Sequence, residues 1–377
     1  MAWLSGWAKR REITVSNTNI DSDLTHFPLP LFINSSAGTG NTDITSIFTE
    51  LGSNSLKIAV TKSDGTTQIY AEVEQWDGSS EAVVWVSKSD LTLSSTATTT
   101  LYLYYDSTQA DNTTYVGAIG STPGQSVWDS YYEAVWHLSE AAAPYKDSTG
   151  TNDSNTNGTD PAQVTGKVGK GQDFDKANSE SIQLTTDSSL SFVGASGDDP
   201  FSIEAWLNMD DASSFRIYAY AGNDIAYYEY RLAFSSTDKV SLYCRDPSAS
   251  GYIKSEDSTA YTADEESWVH IGATYDGTGS ATGMSIFRNG VSRSTTDTDS
   301  AYTAMESVAT VGAIGALPGA TWSYADGKID ELRISRTERS AAWLKASYYA
   351  QDDNILSWGS EENEPSTSWT PKVIFIS

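Results

Sequence analysis

The sequence predicts an all-β protein made of two antiparallel β-sandwiches, and three observations carry that prediction. Gly, Ser and Thr are abundant and aromatics reach 11%, with 12 tryptophans, the composition of a strand-and-turn chain. Short apolar runs alternate with period two between clusters of Gly, Pro, Asn and Asp. Helical periodicity is confined to one short stretch near the C-terminus. At 377 residues the chain can hold two or three domains, each able to bury a core.

"REITV" at 11–15 opens the first sandwich, and "FPLPLFI" at 27–33 follows an Asn/Asp/Ser-rich turn. Its prolines demote it to an edge strand or a strand end. "SLKIAVTKSDGTTQIYAEVEQWD" reads strand, turn at Asp64-Gly65, strand, with Leu56, Ile58 and Val60 on one face. "EAVVWVSKSDL" and "TTTLYLYYDS" close a unit of about seven strands. The pattern breaks in "GAIGSTPGQS" at 117–126, which bounds a first domain at 1–118.

In the second domain, 119–360, "FSIEAWL" alternates Phe201, Ile203, Ala205 and Leu207 against Ser202, Glu204 and Trp206. "FRNGV" sets Asn289-Gly290 where a type I′ hairpin turn wants positive φ twice. "RTERSAAWLKASYYAQ" is the one helix, N-capped by Thr337 or Ser340, with Trp343, Leu344, Ser347 and Tyr348 at helical spacing. Residues 361–377 form an acidic tail ending in Val373, Ile374, Phe375 and Ile376. That apolar end is either a last strand returning to the second sandwich or a strand that docks on another subunit.

The net charge of −27 and pI near 4.2 exclude a nucleic-acid partner, since phosphate binding needs concentrated Lys and Arg. Acidity favours solubility, cations or a basic partner. The single cysteine, Cys244, allows no intrachain disulfide and reads as a small buried residue. His26, His137 and His270 stand singly and suggest no metal cluster. No run reaches the roughly 20 apolar residues of a membrane span, so membrane insertion is not expected. The opening stretch lacks a signal-peptide pattern, which fits a protein assembled in the cytoplasm and released by lysis, as virion proteins are.

"WAKRREITVSN", "QWD" at 75–77, "VVWV" at 83–86 and "LYLYY" at 101–105 resemble, in order, an uncharacterised β-sandwich family that precedes laminin-G-like domains in surface and phage proteins. The likeness spans 3–110 and departs at "YYDS", where that family has a Gly after the tyrosines. From 126 to 360, "SVWDSYYEAVWHLSE", "GKGQDFDKANSESIQL", "PFSIEAWLNM", "WVHIGATYDG", "MSIFRNGV" and "DGKIDELRISRTERSAAWLKASYYAQ" resemble a concanavalin A-like, laminin-G-like jelly roll. The resemblance implies a scaffold or adaptor sandwich followed by a lectin-like one.

Asp330 and Glu331 are the obvious acid pair for sugar cleavage. Adjacent residues on a strand point to opposite faces, so these two are not expected to form that pair with each other. Jelly-roll glucanases carry Glu-x-Asp-x-x-Glu on one strand, whereas here Lys328 lies two before Asp330 and Arg333 three after it. "EQWDGSSE" at 74–81 reads as a solvated turn, and no Ser/His/Asp set or phosphate loop is found. No enzyme is expected.

The resemblance implies a structural Ca²⁺ at Asp330 with Asp175 and Asn178, although the family's Gly-Asn-Asp is here "KANSE". The other reading of Asp330 is a hydrogen-bonded structural carboxylate. Tyr218, Tyr220, Tyr227, Tyr228 and Tyr230 surround a Gly-Asn-Asp turn, as ligand-stacking residues or as core. Trp322 and Tyr324 form a second loop candidate for ligand binding.

The expected function is a non-enzymatic structural or adhesion protein of a phage tail, fibre or capsid decoration. It would bind host surface glycan or protein and assemble with other virion proteins as an oligomer. A bacterial or archaeal cell-surface adhesin is the alternative, and a glycan-cleaving enzyme on the jelly roll the second.

Overall fold

The computed structural model describes residues 2–185, 188–222, 228–307, 311–318 and 323–365. Tyr227, Trp322 and the apolar end at 373–376 lie outside the described residues. The first sandwich begins with β1 (Lys9–Val15), β2 (Leu29–Ile33), β3 (Ile58–Lys62), β4 (Gln68–Trp76), β5 (Ala82–Ser87) and β6 (Thr99–Tyr105). Strands β3 and β4 form the hairpin expected at Asp64-Gly65, whose Asp64 carboxylate accepts from the Thr66 and Thr67 amides. The proline-bearing β2 sits at the sheet edge, where its missing N–H needs no partner.

The second sandwich comprises β7 (Tyr132–Trp136), β8 (Ala162–Thr165), β9 (Lys170–Phe174), β10 (Phe201–Met209), β11 (Arg216–Ala221), β12 (Tyr228–Phe234) and β13 (Val240–Asp246). It continues through β14 (Gly251–Asp257), β15 (Trp268–Tyr275), β16 (Met284–Arg288), β17 (Thr295–Ser300), β18 (Val311–Ile314) and β19 (Gly327–Ser335). One sheet runs β8-β9-β19-β10-β15-β16, with β7 also beside β19. The other runs β18-β11-β12-β13-β14-β17. Their inner faces share a core that contains Trp136, Phe174, Phe201, Ile203, Ala205, Leu207, Ile329, Leu332 and Ile334. Asn289 and Gly290 take φ of 51° and 73°, as the hairpin turn requires.

Helix α1 (Ala341–Gln351) is capped by Ser340, whose hydroxyl accepts from the Trp343 amide at 3.2 Å. It crosses to the first sandwich, where Trp343, Ala346 and Ala350 join that core and Trp343 meets Phe27 edge-on. The chain then enters β20 (Leu356–Asn363), which pairs antiparallel with β1 and completes a sheet ordered β20-β1-β6-β3-β4-β5-β2. The jelly roll is therefore inserted between two parts of the first sandwich. This corrects the sequence-based boundaries, which assigned 119–360 wholly to the jelly roll and began a C-terminal tail, a possible docking strand, at 361. Leu356 and Trp358 are buried in the first core, and Glu361 and Glu362 bond Tyr105 and Arg10.

Asp353 marks the crossing. Burial pushes its carboxyl up to about 6, although the Gly38 amide donates to it at 2.7 Å. A carboxyl whose folded pKa is raised contributes stability below its unfolded value of about 3.9, and loses that contribution as pH rises through about 6. Asp353→Asn, which tolerates the φ of 51° at this position, should flatten that fall, a difference of roughly 1–2 kcal/mol between pH 4 and 7 in urea unfolding. Parallel pH profiles for the two proteins would refute the assignment. Among the described residues no helix is long and apolar enough to cross a membrane.

Candidate functional site

Strand β19 departs from period two at the acid pair. Glu204 opposes Arg333 and Trp206 opposes Asp330, so Ala205 alone stands against both Glu331 and Leu332. On the other edge β19 is paired by β9 up to Ile329 and by β7 from Leu332. The bulge falls where the partner changes, and Glu331 takes φ of 53°, rare for a side-chain-bearing residue. Ile329, Leu332 and Ile334 face the jelly-roll core, so Asp330, Glu331 and Arg333 all leave by the opposite face. The expectation that the two carboxylates point apart is thus corrected, because the bulge inserts one residue and resets the alternation.

That face is covered by the first sandwich, and Asp330, Glu331 and Arg333 are each at most 1% exposed. A loop at 166–171 closes over Asp330, whose Oδ2 accepts from the Lys167 and Val168 amides at 2.7 and 2.8 Å. Only glycine fits here: a Cβ on Gly166 would lie 2.5 Å from that oxygen, and one on Gly169 2.7 Å from a Glu74 carboxylate oxygen. Asp330 Oδ1 has no hydrogen-bond partner, and burial together with Glu331 pushes its carboxyl well above the ordinary range.

His137 is the hub between the sandwiches. Its Nδ1 lies 2.6 Å from Glu331 and 3.5 Å from Glu74, and its Nε2 lies 2.8 Å from Glu72. Burial pulls the imidazolium pKa down, but Glu331 and Glu74 outweigh it and hold the pKa well above the ordinary value. Burial raises Glu74 well above its usual range despite His137. Burial also works against Glu331, yet His137 and Arg333 win and keep its pKa below the ordinary value. Arg333 lies over Trp85 and Trp128, with Cζ 4.4 and 5.1 Å from their ring centroids, and pairs with Glu331 at 2.5 Å. The stretch at 74–81, expected as a solvated turn, splits: Asp77 caps the turn, while the Glu74 side chain is fully buried at this hub. Nothing local in the sequence joins Glu72, Glu74 and His137 to Glu331.

The expected calcium ligands do not converge. Asp330 packs against Gly171, whereas Asp175 and Asn178 lie beyond the end of β9, about 13 Å further along at strand rise. Asp175 and Asn178 instead line a surface cavity of about 390 Å³ with Asp173, Glu180, Asp210 and Asp326. Those are hard oxygen donors of the kind calcium takes. Asp175 already accepts from the Ala177 amide and the Asn178 side chain.

Of the aromatic candidates, Tyr218, Tyr220 and Tyr230 are at most 3% exposed inside the jelly-roll core. Period two sends them inward, where Tyr230 packs at a tilt against Tyr218 and Tyr220, with ring centroids 5.9 Å apart in each pair. Tyr324 is half-buried and bridges to Ala316. Tyr228 is only 3% exposed, but it lies on the outer face, beside Tyr243.

This outer face holds residues that the sequence reading passed over. Arg231, Tyr243 and Lys254 stand directly opposite one another on β12, β13 and β14, and Arg245 opposes Tyr252. Tyr243 and Tyr252 stack at 4.9 Å, and Arg231 Cζ lies 4.8 Å from the rings of both Tyr228 and Tyr243. Arg216, Arg231, Tyr243 and Lys254 line a cavity of about 260 Å³ on this face. Burial, with a smaller contribution from the nearby Arg231 charge, lowers the Arg216 pKa to about 10. The Nε atoms of Arg231 and Arg245 have no hydrogen-bond partner. The signal was present in "YCRD" and "YIKS", where Tyr and a cation recur two apart on each arm of a hairpin.

Residues 176–345 match a laminin-G type family model described as the concanavalin A-like lectin/glucanases superfamily. No curated protein matches the chain in sequence. Among solved structures, the binding domain of Paraclostridial Mosquitocidal Protein 1 aligns with 12% identity and a TM-score of 0.44, over 58% of this chain and 52% of that one. Domain 4 of AbnA, a GH43 extracellular arabinanase from Geobacillus stearothermophilus solved with arabinotriose, aligns with 17% identity and a TM-score of 0.40, over 57% and 96%. The receptor binding domain of botulinum neurotoxin D aligns with 10% identity and a TM-score of 0.41, over 59% and 53%. The chain thus spans about half the length of the two toxin domains it matches. The inserted sandwich carries, over residues 176–345, a domain of the concanavalin A-like lectin/glucanase superfamily.

Proposed function

We propose that the protein is a non-enzymatic adhesion component of a virion, and that its jelly roll binds acidic glycans on a host surface. The observation that carries this reading is the Tyr/Arg face of β11, β12, β13 and β14: Arg216, Arg231, Arg245, Lys254 and two stacked tyrosines gathered in a chain of net charge −27. Tyrosine faces stack on sugar rings, while guanidinium groups pair with carboxylate or sulfate. The absence of catalysis is supported by the burial of Asp330 and Glu331 beneath the first sandwich, where a polysaccharide has no path. The virion setting is supported by the acidic, disulfide-free β composition.

The test is binding to host cells and to an array of neutral, carboxylated and sulfated glycans, with reducing-end release followed in parallel. Saturable, salt-sensitive binding to acidic glycans without release is expected. Arg231→Ala and Tyr243→Ala should each weaken it roughly 10- to 100-fold at unchanged melting temperature. Equal binding by both variants would remove the site, and sugar release would overturn the non-enzymatic reading.

A further inference from the structure

We infer that Glu74, His137 and Glu331 form a site for a divalent transition metal, of which Zn²⁺ is the type, joining the two sandwiches. Glu74 comes from β4 of the first sandwich, His137 follows β7, and Glu331 sits on the bulge of β19. One donor atom from each lies within 4.8 Å of the others. This site is independent of the proposed glycan face.

Four features make it more than a group of acids. The His137 Nε2–H donates to Glu72 Oε1 at 2.8 Å, the carboxylate backing that fixes a metal-binding imidazole and aims its other nitrogen at the ion. Glu72 is itself held by the Ser148 hydroxyl and the Trp128 indole. The two ligating carboxylates are oriented in turn: the Trp85 indole donates to Glu74 at 2.7 Å and Arg333 to Glu331. Finally, the Glu74 side chain is fully buried and its Oε1 has no hydrogen-bond partner.

The backbone is bent to bring these donors together. Both Glu331 and Leu138, next to His137, adopt positive φ, of 53° and 59°. Side-chain-bearing residues hold that conformation where the surroundings impose it, and such residues gather at functional sites. Zinc with bonds of about 2.0–2.1 Å places tetrahedral ligand atoms about 3.4 Å apart. The Nδ1 distance of 3.5 Å to Glu74 Oε2, the oxygen that the Trp85 indole orients, already matches, and the 2.6 Å contact to Glu331 opens by less than about 1 Å when the metal replaces the Nδ1 proton. An imidazole with two carboxylates suits Zn²⁺ or its first-row neighbours, whereas Ca²⁺ and Mg²⁺ take oxygen alone.

Because the site is sealed, the full chain should be refolded from denaturant with Zn²⁺, with Co²⁺ or with chelator, then desalted. About one zinc per chain, low-coordinate Co²⁺ absorption bands and a melting temperature several degrees above that of the chelated protein are expected. Glu74→Gln, nearly isosteric, should still fold in chelator but retain at least about 10-fold less metal. Failure of the wild type to retain either metal would overturn the inference. So would retention unchanged in both Glu74→Gln and His137→Gln, which would place the metal elsewhere.

Discussion

Arg333→Ala is expected to destabilise the protein by about 3–5 kcal/mol, because it strands buried carboxylates without their cation. Glu331 lies 2.5 Å from the guanidinium and Glu204 4.0 Å from it, and both carboxylates are held below the ordinary range. The same group covers two indoles, so alanine also opens a cavity between the sandwiches. Urea unfolding measures the loss, and a double-mutant cycle with Glu331→Gln should return more than about 1 kcal/mol of it, since the second change removes one stranded charge. A solvent-facing ion pair sets the contrast. Lys345 and Asp21 meet at 2.7 Å but are 27% and 57% exposed, and Lys345→Ala should shift stability by less than about 0.5 kcal/mol. A loss below about 1 kcal/mol for Arg333→Ala would mean that water reaches the interface and that the carboxylates there are not sealed.

The contrast between what the sequence reveals and what it hides follows sequence separation. Local rules suffice for the Asp64 hairpin, the Asn289-Gly290 turn, the proline-bearing edge strand and the Ser340 cap, since each needs only its own neighbours. The same rules mislead at Glu331. Its direction is set by a change of pairing partner from β9 to β7, strands some 150 to 200 residues upstream. The tyrosines show the intermediate case: period two sends Tyr218, Tyr220 and Tyr230 to one face, but only tertiary packing decides that this face is the core. A matching alternation in β13 and β14 puts Tyr243, Arg245, Tyr252 and Lys254 on the outer face, and there the aromatic–cation pairing was legible. Glu74 and His137 belong to different sandwiches, and no spacing rule connects them.

A chain ending at Asn354 is expected to lose the first sandwich while keeping the jelly roll. Ile355, Leu356 and Trp358 are buried in the first core, and side chains of this size contribute roughly 1.5–3 kcal/mol each on burial. Their sum, of order 5 kcal/mol, is comparable with the whole net stability of a domain. Truncation also leaves the buried β1 with an unpaired edge, takes Glu362 from Arg10, the Gly359 carbonyl from Arg11 and Glu361 from Tyr105, and removes the acceptors of the Ser16 and Thr39 amides. The jelly-roll core draws nothing from β20, so residues 170–335 should remain protease-resistant while 9–118 are cut. Calorimetry should then show the first transition lowered or lost and the second nearly unmoved. If β20 acts as a true structural strand, a peptide of residues 355–365 added in trans should restore protection to 9–118, because β-strand addition recovers both the edge hydrogen bonds and the buried side chains. A truncated chain with unaltered melting and proteolysis would show that the first sandwich closes without its C-terminal strand. The inserted arrangement would then be a matter of connectivity and not of stability.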